Sequence, residues 1–260
     1  MDNITLCQQI NLPEGHSFIL NMEGLILAVE HKSKEWCVHV NRHPIEAGED
    51  RSVRLLNGQF SPVIGGKINR YINSDKTDVL EIKPTLADRA VVCRPLSPIT
   101  IVPGAKVIIY LSIPMWFSMS LLGEQSILIK EIATQVLSDT WFGPSTMKGE
   151  LCYASQTSAR LNLDNLSVRQ HRVTTPLIIE NNADNDLIFE RVSLPVPYLS
   201  IYRTENGQLW TQNATLTRED DGDFAKLKLG DAPVDTCLVS GPRITTHHGQ
   251  LIRAFSAIFN

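Results

Sequence analysis

An all-β fold is what this sequence predicts, and three observations predict it. Short runs of β-branched or alternating residues fill the chain, polar turn chemistry separates them about every ten residues, and an approximate repeat appears when the chain is slid along itself by 81 residues. Together they predict two β-sandwich or jelly-roll-like modules related by internal duplication, over residues 55–137 and 138–220. An N-terminal hairpin region over 1–54 packs on the first module, and a tail over 221–260 follows the second.

Taken in order, Phe18–Val29 and Glu35–Val40 read as strands joined by the polar turn Glu30–Lys34, and Lys67–Ile72 follows the glycines Gly65 and Gly66. Val79–Ile82, Ala90–Cys93, Ile99–Val102 and Val107–Ile113 come next, punctuated by Pro84, Pro95, Pro98 and the Pro103–Gly104 turn. Later strands are expected at Leu177–Glu180, Leu187–Val192, Tyr198–Arg203 and Gln208–Gln212. Ile127–Leu137 fits helical spacing but also alternates. Near the C-terminus, Leu251, Ile252, Phe255, Ile258 and Phe259 fall on one helix face, which predicts a short C-terminal helix.

In the repeat, Ser74–Thr134 lies over Ser155–Thr215, with identities at Leu80/Leu161, Val92/Val173, Pro95/Pro176, Ser112/Ser193, Pro114/Pro195 and Leu128/Leu209, among others. The second copy of Ile127–Leu137 is strand-like, which favours a strand in the first. The alternative is that two β-sandwich-like stretches share proline and turn placement because the architecture demands it; either way two similar β modules are expected.

Composition narrows the function classes. The 260 residues are 43% hydrophobic and 20% charged, with a net charge of −4 and mean hydropathy of −0.06, a globular balance. The basic residues are scattered, so no nucleic-acid footprint is expected. The longest apolar run, Val107–Leu122, is short for a spanning helix and is split by Pro114, so it reads as buried strands. MDNITLCQQINLPEG has no secretory pattern, and the five cysteines lack a Cys-x-x-Cys pair, so a cytoplasmic location is expected.

Motif searches give structural explanations for each match. Ser145-Thr146-Met147-Lys148 fits Ser-x-x-Lys, in which a lysine one helical turn away activates the hydroxyl. Here it sits between Gly143-Pro144 and Gly149, a loop between strands. Cys37 and His39 share a strand face, with His43 nearby and His247-His248 in the tail, but the spacing matches no compact metal site. Asn181–Asp186 and Glu219–Asp223 offer oxygen ligands without EF-hand order, so hairpin turns account for them. Gly65-Gly66-Lys67 lacks the remainder of a P-loop. No catalytic residue, metal ligand or cofactor is assigned. The surface residues singled out for a partner are Met115, Trp116, Phe117 and Met119, with Trp141-Phe142 and Tyr198 as related positions, and Leu251 and Phe255 in the tail. Burial in the core is their commoner fate.

The stretch Gly149-Glu150-Leu151-Cys152-Tyr153, the strand near Leu187–Val192, and Val196-Pro197-Tyr198-Leu199-Ser200-Ile201-Tyr202 resemble the DUF432 group of prokaryotic proteins, and Gly66–Tyr71 has a similar look. The group has no assigned activity and lends no catalytic residues. The resemblance implies a cytosolic accessory role beside mechanosensitive channels.

The function expected is therefore a non-enzymatic protein-interaction module, with a protein partner such as the cytosolic part of a membrane channel, and with a homo-oligomer also open. A small-molecule or sugar sensor, which needs a pocket with convergent Trp, Tyr or His, is the alternative. A hydrolase built on His39, His43, His171, His247 and His248 comes third.

Overall fold

Strand alternation and turn glycines set the architecture. The computed structural model describes residues 7–255 apart from 23, 45–53, 60, 63–65, 73–76, 146, 156–158, 162–168, 170, 220–223 and 246–251. Among these residues nearly all regular structure is strand, and the chain divides into two compact units that are discontinuous in sequence.

Unit 1 comprises residues 1–85 and 116–135. Its first sheet has the order β5 (Arg54–Gly58), β2 (Ser17–Met22), β3 (Leu25–Lys32), β4 (Glu35–Arg42), β6 (Lys67–Ile72). The expected single strand Phe18–Val29 is in fact two, because Gly24, at φ 70°, turns the chain where a side chain would be strained. The second sheet runs β1 (Gln8–Asn11), β7 (Val79–Thr85), β11 (Trp116–Leu122), β12 (Ser126–Ala133). Phe18, Leu20, Leu25, Leu27, Val29, Trp36 and Val38 fill the inner face of the first sheet. Leu80, Ile82, Phe117, Met119, Leu121 and Ile132 fill that of the second. Burying each large side chain of this kind stabilises by roughly 1.5–3 kcal/mol.

Unit 2 comprises residues 86–115 and 136–260. At its centre β15 (Arg172–Asn181) pairs antiparallel with β10 (Lys106–Pro114) along nine positions. The other edge of β15 takes β19 (Leu209–Trp210) and then β20 (Ala214–Arg218), both parallel. β18 (Ile201–Thr204) and β22 (Thr236–Ser240) extend the sheet beyond β19, and β21 (Phe224–Leu229) and β23 (Ile252–Phe255) extend it beyond β20. A second sheet orders β13 (Ser138–Ser145), β14 (Lys148–Ala154), β8 (Val91–Cys93), β17 (Val192–Leu194), and β9 (Ile99–Ile101) pairs with β16 (Leu187–Phe189). The one helical element among the described residues is a single 3-10 turn at Val196–Tyr198, entered through Pro195 and Pro197.

One expectation is corrected. The C-terminal helix is absent where the chain is described: Ile252–Phe255 is a strand whose backbone pairs with β21, Ile252 opposite Leu227 and Phe255 opposite Phe224. An open sheet edge offers a hydrogen-bond ladder that a short isolated helix must forgo. The apolar run Val107–Leu122 forms buried strands as expected; β10 belongs to unit 2 and β11 to unit 1, with the change at Met115–Trp116. At the 81-residue offset, β10 is one long strand, whereas its counterpart 187–195 is divided between β16 and β17, in different sheets. Of Ile127–Leu137, the residues up to Ala133 are strand, as part of β12, and 134–137 are not.

Candidate functional site

Two features stand out once the side chains are placed, one in each unit. The first, in unit 1, is a slot of about 440 Å³ at the edge formed by β4, β6 and β12. β6 and β12 are each the last strand of their sheet among the described residues. The register of β6 on β4 places Lys67 opposite Val40 and Asn69 opposite Val38, the inward face. Lys130 stands opposite Met119, which is fully buried, so its side chain also rises from the core side of its sheet.

Polar contacts close the slot. The Lys130 ammonium donates to Oδ1 of Asn69 at 2.7 Å. Arg42, at the exposed end of β4, donates to the carbonyl of Thr134 at 3.0 Å and also to that of Ala133. Burial, and to a lesser extent the nearby Lys67 charge, lowers the pKa of Lys130; burial does the same to Arg42. Val40, Trp116, Ile132 and Ala133 supply apolar wall, and Glu131 the one carboxylate lining the slot. Gly66 belongs to the same wall because its backbone, at φ 110°, comes so near β4 that a Cβ would lie 2.5 Å from the Val40 carbonyl oxygen.

The second feature is the β13–β14 hairpin of unit 2. Trp141 and Leu151 form a cross-strand pair and are 45% and 50% exposed, and Met147 at the tip is 92% exposed. The Trp141 indole N–H donates to the Ser145 carbonyl at 2.9 Å, so the ring lies along the hairpin with its polar atom satisfied. Gly149 makes this possible, since a Cβ there would meet the indole at 2.7 Å. Phe142, on the opposite face, is buried with Ala90, Val92 and Cys152. Charged groups border the exposed pair. Arg89 lies 4.0 Å over the Tyr153 ring and 3.0 Å from Asp139, and the Tyr153 hydroxyl donates to Asp88 at 2.9 Å.

The residues singled out from sequence are distributed as follows. Met115, at the junction between β10 and β11, and Phe117 and Met119, on the inward phase of β11, are fully buried core residues, and Trp116 is half-buried at the slot. They present no contiguous surface. Leu251 lies outside the described residues, and Phe255 is the last residue of β23. Tyr198 is half-buried at the end of the 3-10 turn, and Trp141 is well exposed.

The motif matches resolve into structural roles. The Ser145 hydroxyl accepts from the amides of Met147 and Lys148, at 3.3 and 3.1 Å, so it closes a hairpin turn instead of facing Lys148 across a helix. Cys37 and His39 do share a face. His39 Nε2 lies 2.7 Å from Glu30, and burial raises the Cys37 pKa. Among the described residues no three His, Cys, Asp or Glu side chains group as metal ligands. His171 is buried in unit 2, where its carbonyl accepts from Met115 N at 3.0 Å, and His247 and His248 lie outside the described residues. In the Asn181–Asp186 loop, Oδ1 of Asn181 and the carbonyls of Asn185 and Asp186 accept from the buried Arg218 guanidinium at 3.3–3.4 Å. The oxygens that suggested a calcium site hold an internal cation.

Arg42, Lys67, Asn69 and Lys130 were not legible from motifs. A signal does exist in β6, whose polarity is inverted: Ile68 and Ile72 are 53% and 87% exposed while Asn69 turns inward. Such inversion appears only once the register is known, since alternation alone places isoleucines inside.

Fold and sites together define an all-β protein of two discontinuous units, with an apolar hairpin on one and a cationic slot in the other. The chain belongs to the DUF432 family, described as a protein of unknown function, whose model matches residues 8–259. No curated protein and no solved structure matches the chain. Among the described residues no helix is long and apolar enough to cross a membrane.

Proposed function

We propose that this chain is a non-enzymatic, cytoplasmic protein-interaction module that engages its partner through the β13–β14 hairpin. One observation carries the proposal: Trp141 and Leu151 pair across the hairpin on its exposed face, with Met147 at the tip and a charged border at Arg89, Asp139 and Tyr153. An aromatic and aliphatic centre within a polar rim is the anatomy of a protein–protein contact. The indole is held rigid by Ser145 and Gly149, so little side-chain entropy is lost on docking. The cytosolic part of a mechanosensitive channel is the partner that the family resemblance brings forward.

The test uses the full chain, tagged and recovered from its native cells in mild detergent after cross-linking, beside the double variant Trp141→Ser, Leu151→Lys. Both positions are half-exposed, so the variant is expected to fold with an unchanged denaturation midpoint. A stoichiometric partner that the variant loses supports the proposal. A partner retained equally by both proteins, or none with the unaltered chain, defeats it.

A further inference from the structure

We infer that the unit 1 slot is a binding site for a small organic anion, a carboxylate or phosphate monoester carried on an apolar body. The inference is independent of the hairpin, which belongs to the other unit.

Three cations line the slot against one carboxylate, Glu131. Two of them, Lys67 and Lys130, make no ion pair among the described residues. Lys130 rises from the core side of its sheet beside Met119 and finds a neutral acceptor, Asn69 Oδ1, at 2.7 Å. Lys67 stands on the same face of β6 at the exposed mouth. Bringing two ammonium groups to one slot, one of them partly buried, is unfavourable without a counter-charge. An anion between them would remove that repulsion and accept charge-assisted hydrogen bonds from both.

Inward charges on edge strands also guard against edge-to-edge pairing. Lys67 on β6 and Lys130 on β12 place one such charge on each edge. Guarding explains neither the inverted polarity of β6 nor the volume kept open beside it. About 440 Å³ falls within the range of small-molecule sites. The walls are Val40, Trp116, Ile132 and Ala133, so a bare inorganic ion would leave them uncovered. An apolar body attached to the charged group would fill that space, which is why the ligand is an organic anion.

The experiment places the full chain at low ionic strength with phenyl phosphate, benzoate, inorganic phosphate and phenol, and measures heat of binding. In parallel, acetic anhydride labels lysines and mass spectrometry reads protection at Lys130, Lys67 and the control Lys83, which pairs with Glu81 at 2.8 Å. Phenyl phosphate or benzoate is expected to bind and to protect Lys130 and Lys67 but not Lys83. Inorganic phosphate should bind about tenfold more weakly and phenol not at all. Lys67→Gln and Lys130→Gln should each weaken binding about tenfold, the worth of one charge-assisted hydrogen bond. If protection is equal at Lys83, or absent, or if inorganic phosphate binds as well as the organic anions, the inference falls. It falls equally if the unaltered chain ignores every anion while a variant carrying both Lys67→Gln and Lys130→Gln self-associates, which would assign the lysines to guarding the sheet edges.

Discussion

Lys130 and Asn69 join the outermost described strands of the two unit 1 sheets: the ammonium on β12 donates to the amide oxygen on β6 at 2.7 Å. Because Asn69 is neutral, the bond orients the charge without cancelling it. The pKa of Lys130 consequently falls below its ordinary 10.5, through burial first and Lys67 second. A lysine whose folded pKa is lowered weakens the fold as it charges. The penalty is absent above the unfolded value and fully present below the folded one. Lys67→Met is therefore expected to move the Lys130 titration upward toward 10.5, read from its side-chain NMR signals. An unmoved titration would show that the two charges do not sense each other.

Cys152 provides the opposite sign. Burial beside Ala90, Val92 and Phe142 pushes its thiol pKa from an ordinary 9.0 up to about 11. A raised acid pKa contributes stability that is complete below the unfolded value and is lost as pH rises through the folded one, about 1.4 kcal/mol for each unit between them. Urea midpoints should accordingly fall between about pH 9 and pH 11, and Cys152→Ala should flatten that fall. Thiol reagents at neutral pH should label the exposed Cys237 rapidly and Cys37, Cys93 and Cys152 only as the protein unfolds.

Gly66 and Gly104 make a matched pair. Both have positive φ, 110° and 72°, but a Cβ at Gly104 meets nothing within 4 Å, whereas one at Gly66 would lie 2.5 Å from the Val40 carbonyl oxygen. Gly104→Ala is expected to cost about 1 kcal/mol, the backbone strain alone. Gly66→Ala should cost at least about twice that, since strand β4 must shift as well. Equal losses in urea denaturation would mean that the close approach is not maintained in solution.

Arg218→Met tests the internal cation of unit 2. Arg218 is 4% exposed and donates to three oxygens of the Asn181–Asp186 loop. Removing it takes the donor from Oδ1 of Asn181 and the Asp186 carbonyl, while the Asn185 carbonyl keeps the Asn181 amide at 2.9 Å, with an expected loss of about 2–4 kcal/mol in urea unfolding. Calcium should give no thermal stabilisation of the unaltered chain. Stabilisation through this loop would contradict the arrangement described.

By itself the sequence determined the class of fold and the position of most strands. Alternation and turn residues are local properties, and β2, β4, β6, β7, β10 and β12 all follow from them. It also carried the family, through residues such as Gly149, whose missing Cβ admits the Trp141 ring. Pairing was decided only in the tertiary structure. Which strand lies beside which depends on contacts far apart in sequence, so the crossing at Met115–Trp116 and the strand at Ile252–Phe255 left no local mark. The same holds for the slot. Lys67 and Lys130 lie more than sixty residues apart as ordinary surface-type lysines, and only the register of β6 on β4 and of β12 on β11 turns both toward one space.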